Sequence, residues 1–167
     1  LVIGLASGIT AGAVTRIDEV ERIEVVELEP AIEEAARYFA DANHRVLDDP
    51  RTELVFNDAR NHVLLAEPGS YDVIVSEPSN PWISGVSNLF TEEFLRLGRT
   101  RLREGGVWAQ WVQMYGMDDE DLRALLATFA EVYPHVALYM TIEDADLVLL
   151  GSDAPLDPTV EVFERAL

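Results

Sequence analysis

Short apolar runs alternate with helical spacings along most of the 167-residue chain. Leu1–Gly4 (LVIG) reads as a buried strand and Thr10–Ile17 as a short helix of small residues. Ile23–Leu28 (IEVVEL) is a second strand, after which Pro30 opens a helix whose Ile32, Ala35, Ala36 and Phe39 recur at i, i+3, i+4 and i+7. Leu54–Phe56 is a third strand, Asn61–Ala66 a brief helix and Tyr71–Val75 (YDVIV) a fourth strand. Thr91 can cap a helix running to Arg103, with Gly105–Gly106 to end it. Val107–Val112 is a fifth strand. Asp118 can cap a helix presenting Leu122, Leu125, Leu126 and Phe129 on one face. Val136–Thr141 and Leu147–Gly151, joined by the acidic turn IEDAD, read as an antiparallel hairpin, and Asp157–Leu167 as a closing helix.

Five β–α units predict a mostly parallel sheet with helices on both faces. With the hairpin added, the expected architecture is α/β, a seven-stranded Rossmann-like sheet of the class I methyltransferase type. There is no internal repeat, low-complexity tract or linker, so residues 1–167 are expected to form a single domain. Leu1 is not an initiator Met, and LVIG already looks like a central strand. The chain is therefore expected to be a fragment lacking an N-terminal segment.

Composition narrows the chemistry. Twelve basic against 31 acidic residues give a net charge of −19, a field that repels nucleic-acid phosphates and attracts polycations, or simply maintains solubility. All 12 basic residues are Arg, so Schiff-base chemistry and a phosphate-binding P-loop lysine are excluded. With no cysteine there are no disulfides, thiolate ligands or cysteine nucleophiles, and His44, His62 and His135 lack metal-ligand spacing. No apolar stretch approaches the length of a membrane span.

In an open parallel sheet, ligands lie beyond the carboxyl ends of the strands. The first strand runs into GLASGITAG, where Gly4, Ala6 and Gly8 make a G-x-A-x-G turn around Ser7. Small residues there either let the backbone approach a ligand or serve packing. Glu27 ends the second strand, at the distance from the turn expected of a carboxylate that binds ribose hydroxyls. After the third strand comes NDAR, in which Asp58, beside Ala59, either accepts from an adenine amino group or caps the next helix. The fourth strand delivers SEPSNPWISGVSNLF. Pro78 and Pro81 stiffen this loop, and Glu77 emerges where the reactive end of an adenosine-type ligand would lie. A carboxylate there suits proton removal from an amine or stabilisation of a cation, the bland alternative being a structural turn. Trp82 either lines the ligand or anchors the loop. Trp108 and Trp111 are expected in the core, and Met114, Tyr115 and Met117 either wall the pocket or pack at its rim.

From Leu1 to about Met114 the chain resembles the catalytic domain of the spermidine/spermine synthase (polyamine aminopropyltransferase) family. The residues that carry the likeness are YDVIV followed by Glu77, Asn80 and Pro81, then Leu89-Phe90 opening a helix, then GGVWAQW with Gln110. Their GLASGITAG and EPSNPW forms look like a divergent bacterial branch. The resemblance implies transfer of an aminopropyl group from decarboxylated S-adenosylmethionine to a polyamine or other small amine, without metal. It implies Glu77 as proton acceptor, Asn80 beside the amine, Glu27 on ribose, Asp58 and Ala59 at the adenine edge, and Trp82 and Gln110 lining the substrate. Ser7 and Asn80 stand where the family carries Asp residues that help hold cations. Family members commonly pair, so a homodimer is implied, as is a cytoplasmic location, the domain being soluble alone or part of a longer chain with a β domain or membrane segments.

Two other readings compete. A methyltransferase using intact S-adenosylmethionine would use the same sheet, and Asn80-Pro81 partly echoes the Asn-Pro-Pro-aromatic loop of amino-group methyltransferases. A catalytically inactive nucleoside-binding domain of a larger protein is the third.

Overall fold

A computed structural model describes residues 1–156. In chain order the elements are β1 (Val2–Ile3), α1 (Ile9–Val14), β2 (Ile23–Glu27), α2 (Ala31–Arg37), β3 (Thr52–Phe56), α3 (Ala59–Leu65), β4 (Tyr71–Ser76), α4 (Glu92–Arg101), β5 (Leu102–Gln113), α5 (Asp119–Val132), β6 (His135–Ile142) and β7 (Asp146–Ser152). Short 3-10 turns occupy Val46–Asp48 and Val86–Leu89. The closing helix expected over 157–167 lies outside the described residues.

The seven strands form one sheet in the order β3-β2-β1-β4-β5-β7-β6. β1 to β5 are parallel, and β7 inserts antiparallel between β5 and β6. The expected seven-stranded sheet with its terminal hairpin is thus the one observed. Strand order reverses at β1, which lies between β2 and β4, so the crevice that such a sheet offers a ligand opens between the β1 and β4 tips.

Two apolar clusters hold the layers together. Val2, Ile23, Val25, Ala36 and Val46 meet beneath α1 and α2. On the other side Ile74, Phe94, Trp108, Phe129 and Tyr133 are buried with α4 and α5. Phe94 meets the Trp108 ring edge-on, at 5.6 Å between centroids and 82° between planes. Gly98 of α4 lies flat on that indole, and a Cβ there would overlap the ring. Helix propensity alone would place Ala at this position; the space Trp108 occupies overrides it. Trp111, also expected in the core, is only half-buried, because alternation along β5 turns it to the opposite face.

Three expectations at element ends are corrected. The helix capped by Thr91 stops at Arg101, not Arg103: Leu102 is already extended (φ −72°, ψ 139°) and starts β5. Gly105-Gly106 instead lie in an irregularity of β5, where pairing to β4 jumps from Tyr71–Leu102 to Val73–Val107 and Gly105 has φ 75°. The first helix ends at Val14 rather than Ile17, where the Thr15 hydroxyl donates to the Gly12 carbonyl at 2.7 Å and the backbone tightens into i→i−3 bonds. α2 ends at Arg37, so Phe39 leaves the expected apolar face and is 47% exposed. Only Ala36 of the expected stripe is fully buried, with Ile32 packing beside it.

Candidate active site

Four neighbouring strand tips converge at the reversal of strand order. The turn after β1 takes three left-handed residues in alternation, Gly4 (φ 93°), Ala6 (φ 46°) and Gly8 (φ 78°). Ala6 carries a Cβ in a region that disfavours one, so its surroundings must hold it there. Glu27 is one such restraint. Its carboxylate accepts from the Leu5 N–H at 2.9 Å, and from the Leu28 and Glu29 N–H groups at 2.8 and 3.0 Å. The β2 tip is thereby fastened to the turn. Three of roughly four acceptor positions on the two oxygens are then filled, leaving one for a ligand hydroxyl.

Asn43 is the other restraint. It lies between α2 and the Val46–Asp48 turn, is 2% exposed, and donates from Nδ2 to the Ser7 carbonyl at 2.8 Å. No apolar periodicity marks Asn43, and nothing in the sequence reading singled it out.

Glu77 reaches the same place from β4. Its N–H donates to the Ile3 carbonyl at 3.1 Å, and a Cβ on Gly4 would lie 3.1 Å from the Glu77 carbonyl oxygen. The close approach of β1 to β4 and the φ of 93° at position 4 together favour glycine there. Pro78 is buried behind it, while Asn80 is half-buried and its carbonyl accepts from Ile83 in the following turn.

Asp58 caps α3, accepting from the Asn61 N–H at 3.0 Å, which realises one of its two readings and leaves Oδ2 without a partner among the described residues. Ala59 follows as the first residue of α3 and packs at the margin of the core. Arg60, also missed from sequence, donates to the Asn88 carbonyl at 3.2 Å and so ties the β3–α3 corner to the end of the Glu77 loop. Trp82 is 48% exposed and lies over Gly116 in the loop after β5, where a Cβ would come within 3.0 Å of its ring. Its anchoring role is visible, and much of the indole stays open to solvent.

Gln110 is the site candidate that the fold does not bring to this cleft. It is 1% exposed, accepts from the Trp108 indole at 3.2 Å and donates to the Trp111 carbonyl at 3.1 Å. It shares strand parity with Trp108 and Val112, both fully buried, so alternation aims it inward.

Two cavities, of about 300 and 600 Å³, lie toward the amino-terminal ends of β2 and β4. There His62 and Glu24 approach to 2.9 Å, and the Tyr71 hydroxyl donates to Glu24 at 3.2 Å. Neither cavity includes Glu27, Asp58 or Glu77. Chemistry and strand order, not enclosed volume, mark the carboxyl edge. The described residues contain no cluster of three or more His, Asp or Glu side chains that would hold a metal ion, and none of their helices is long and apolar enough to cross a membrane.

Known proteins resemble this chain in sequence and fold. The spermine/spermidine synthase domain matches residues 1–143. A polyamine aminopropyltransferase of Aeropyrum pernix is 28% identical over 141 residues, covering 83% of this chain and 45% of the relative. Putrescine N-methyltransferase 1 of Nicotiana tabacum is 28% identical over 133 residues, 80% of this chain and 35% of that one. A spermidine synthase solved in complex with the transition-state analogue AdoDATO superposes with a TM-score of 0.80 at 26% identity, over 92% of this chain and 54% of its own. The chain thus spans about half the length, or less, of these relatives.

Proposed function

The chain belongs to the spermine/spermidine synthase domain family, and from that premise we propose that it is a transferase moving an aminopropyl group from decarboxylated S-adenosylmethionine to the nitrogen of a small amine or polyamine. The observation that carries this is Glu77, hydrogen-bonded through its N–H to Ile3 and set against Gly4, one strand from the turn that Glu27 fastens. The neutral amine attacks the aminopropyl carbon bonded to the sulfonium sulfur. The new C–N bond forms as the C–S bond breaks, methylthioadenosine leaves with the electron pair, and the proton of the resulting ammonium passes to the Glu77 carboxylate. Glu27 holds the ribose through its remaining acceptor position and Asp58 Oδ2 meets the adenine edge. Asn80 and Trp82 flank the amine. Gln110 acts from beneath by keeping β4 and β5 in register, a supporting role that matches its burial. The acidic charge raises the local concentration of a cationic acceptor. A cytoplasmic location belongs to the same proposal, as does action within a longer chain.

A second reading is methyl transfer from intact S-adenosylmethionine to a small amine. It is favoured by the putrescine N-methyltransferase of Nicotiana tabacum, matched over 80% of this chain, and by the neutral Ser7, which adds no negative charge beside a carboxylate-bearing tail. Calorimetric titration with each co-substrate separates the two. Tighter binding of the decarboxylated form supports aminopropyl transfer, and tighter binding of the intact form supports methyl transfer. Binding without turnover of any amine points to an inactive nucleoside-binding domain.

A further inference from the structure

We propose that Asn43 is a positioning residue for the ligand-binding turn, its side-chain amide fixing the backbone of residues 4–8 in the geometry that receives the nucleoside. The inference rests on the nucleoside-binding reading above. Asn43 is 2% exposed, and both its amide hydrogens and its amide oxygen have backbone partners. Nδ2 donates to the Ser7 carbonyl and to the Ala36 carbonyl, both at 2.8 Å, and Oδ1 accepts from the Arg45 N–H at 3.0 Å. The chain takes an unusual path to supply that last bond. His44 and Arg45 are consecutive left-handed residues with side chains, at φ 52° and 55°.

The turn is shaped to meet this amide. A Cβ on Gly8 would lie 3.0 Å from Asn43 Nδ2, and one on Gly12 would overlap the Asn43 carbonyl oxygen, so α1 sits directly on Asn43. Ala6, in its unfavourable left-handed conformation, is flanked by two tethers: the Leu5 N–H held by Glu27 and the Ser7 carbonyl held by Asn43. Between them the Gly8 N–H closes on the Leu5 carbonyl at 2.7 Å. Release of the Ser7 carbonyl leaves the peptide between Ser7 and Gly8 held only by the Gly8 N–H bond to Leu5, so the turn loses one of the restraints that keep Ala6 left-handed. The backbone that faces the ligand loosens with it. Glu27 holds the turn from the side that touches the nucleoside, Asn43 from the side that does not.

The test compares the full chain with Asn43→Asp and Asn43→Ser. The first keeps the shape but replaces the donor by an acceptor; the second keeps a neutral polar group too short to bridge both carbonyls. Should the buried acid of Asn43→Asp prevent folding, Asn43→Ser carries the comparison. Val132→Ala, on the buried face at the end of α5, serves as a control, with unfolding midpoints matched by temperature. Two quantities are read in the folded state: amide hydrogen exchange of Leu5 and Gly8 in the free protein, and affinity for methylthioadenosine. The expected result is faster exchange at both amides and weakening of methylthioadenosine binding by about tenfold or more, the scale of losing one or two buried hydrogen bonds. Val132→Ala should leave both within about twofold, because a loss of global stability alone does not reshape the folded turn. Unchanged exchange or unchanged affinity in the folded Asn43 variants overturns the proposal alone. Wild-type protein that binds no methylthioadenosine overturns the nucleoside reading, and the proposal with it.

Discussion

Replacing Glu27 by Gln removes a charge and one acceptor while leaving the side chain's shape, and the structure sets the size of the effect. The carboxylate accepts three backbone N–H groups, two on Oε1 and one on Oε2. Gln has one oxygen. Aimed at Leu28 and Glu29, it leaves its NH₂ facing the Leu5 N–H, donor against donor. Loss of the Leu5 bond removes about 2 kcal/mol for a charge-assisted hydrogen bond, and the two that remain fall to roughly half their strength. Glu27 is half-buried, and water partly compensates. The net expectation is a loss of about 2–3 kcal/mol in urea unfolding. Methylthioadenosine affinity should fall further than a stability loss explains, by about tenfold to a hundredfold, because the acceptor left for ribose goes too. Glu29→Gln is the control, since Glu29 accepts from the nearby Ala31 N–H on an exposed surface. A Glu27→Gln protein within about 0.5 kcal/mol of wild type and within twofold in affinity would refute both the clamp and the ribose role.

Gly98→Ala should destabilise by about 1–3 kcal/mol in urea unfolding although Ala is the better helix former, because its Cβ enters the Trp108 ring; a more stable variant would mean that the indole moves freely. Arg51→Lys should lose about 1–2 kcal/mol, since the guanidinium donates to the Thr15, Ile17 and Val20 carbonyls and pairs with Asp49, and an ammonium cannot span that set; an unchanged unfolding midpoint would refute it. Burial, with the Glu24 charge adding, pushes the Tyr71 hydroxyl from 10.0 up to about 12. A raised folded-state value gives stability that is complete below pH 10 and lost as pH climbs from 10 through 12. The advantage of wild type over Tyr71→Phe should therefore shrink across that window, and parallel stability curves would contradict it.

The strands were legible because buried parallel strands read as unbroken apolar runs, and IEVVEL and YDVIV are that. The strand-tip groups followed from the same logic: once β1, β2 and β4 are placed, Gly4, Glu27 and Glu77 must meet at one edge. Element ends were harder. Gly105-Gly106 carries the same local signal for a helix stop and for a strand irregularity, and only pairing with β4 decides between them. Phe39 has the spacing of a core residue, but the helix ends before reaching it. Gln110 resembled a site residue through its family motif, although its parity with Trp108 and Val112 already pointed inward. Asn43 left no trace, because what matters about it is a backbone carbonyl 36 residues away.

The most direct test of the account is turnover by the full chain with decarboxylated S-adenosylmethionine and a panel of small amines, measuring methylthioadenosine and aminopropylated product together. The account predicts equal amounts of the two from wild type. For Glu77→Gln it predicts a fall in kcat of about a hundredfold or more, with co-substrate affinity nearly intact. Full activity in Glu77→Gln, or methylated amine formed from intact S-adenosylmethionine and none from the decarboxylated form, would contradict it.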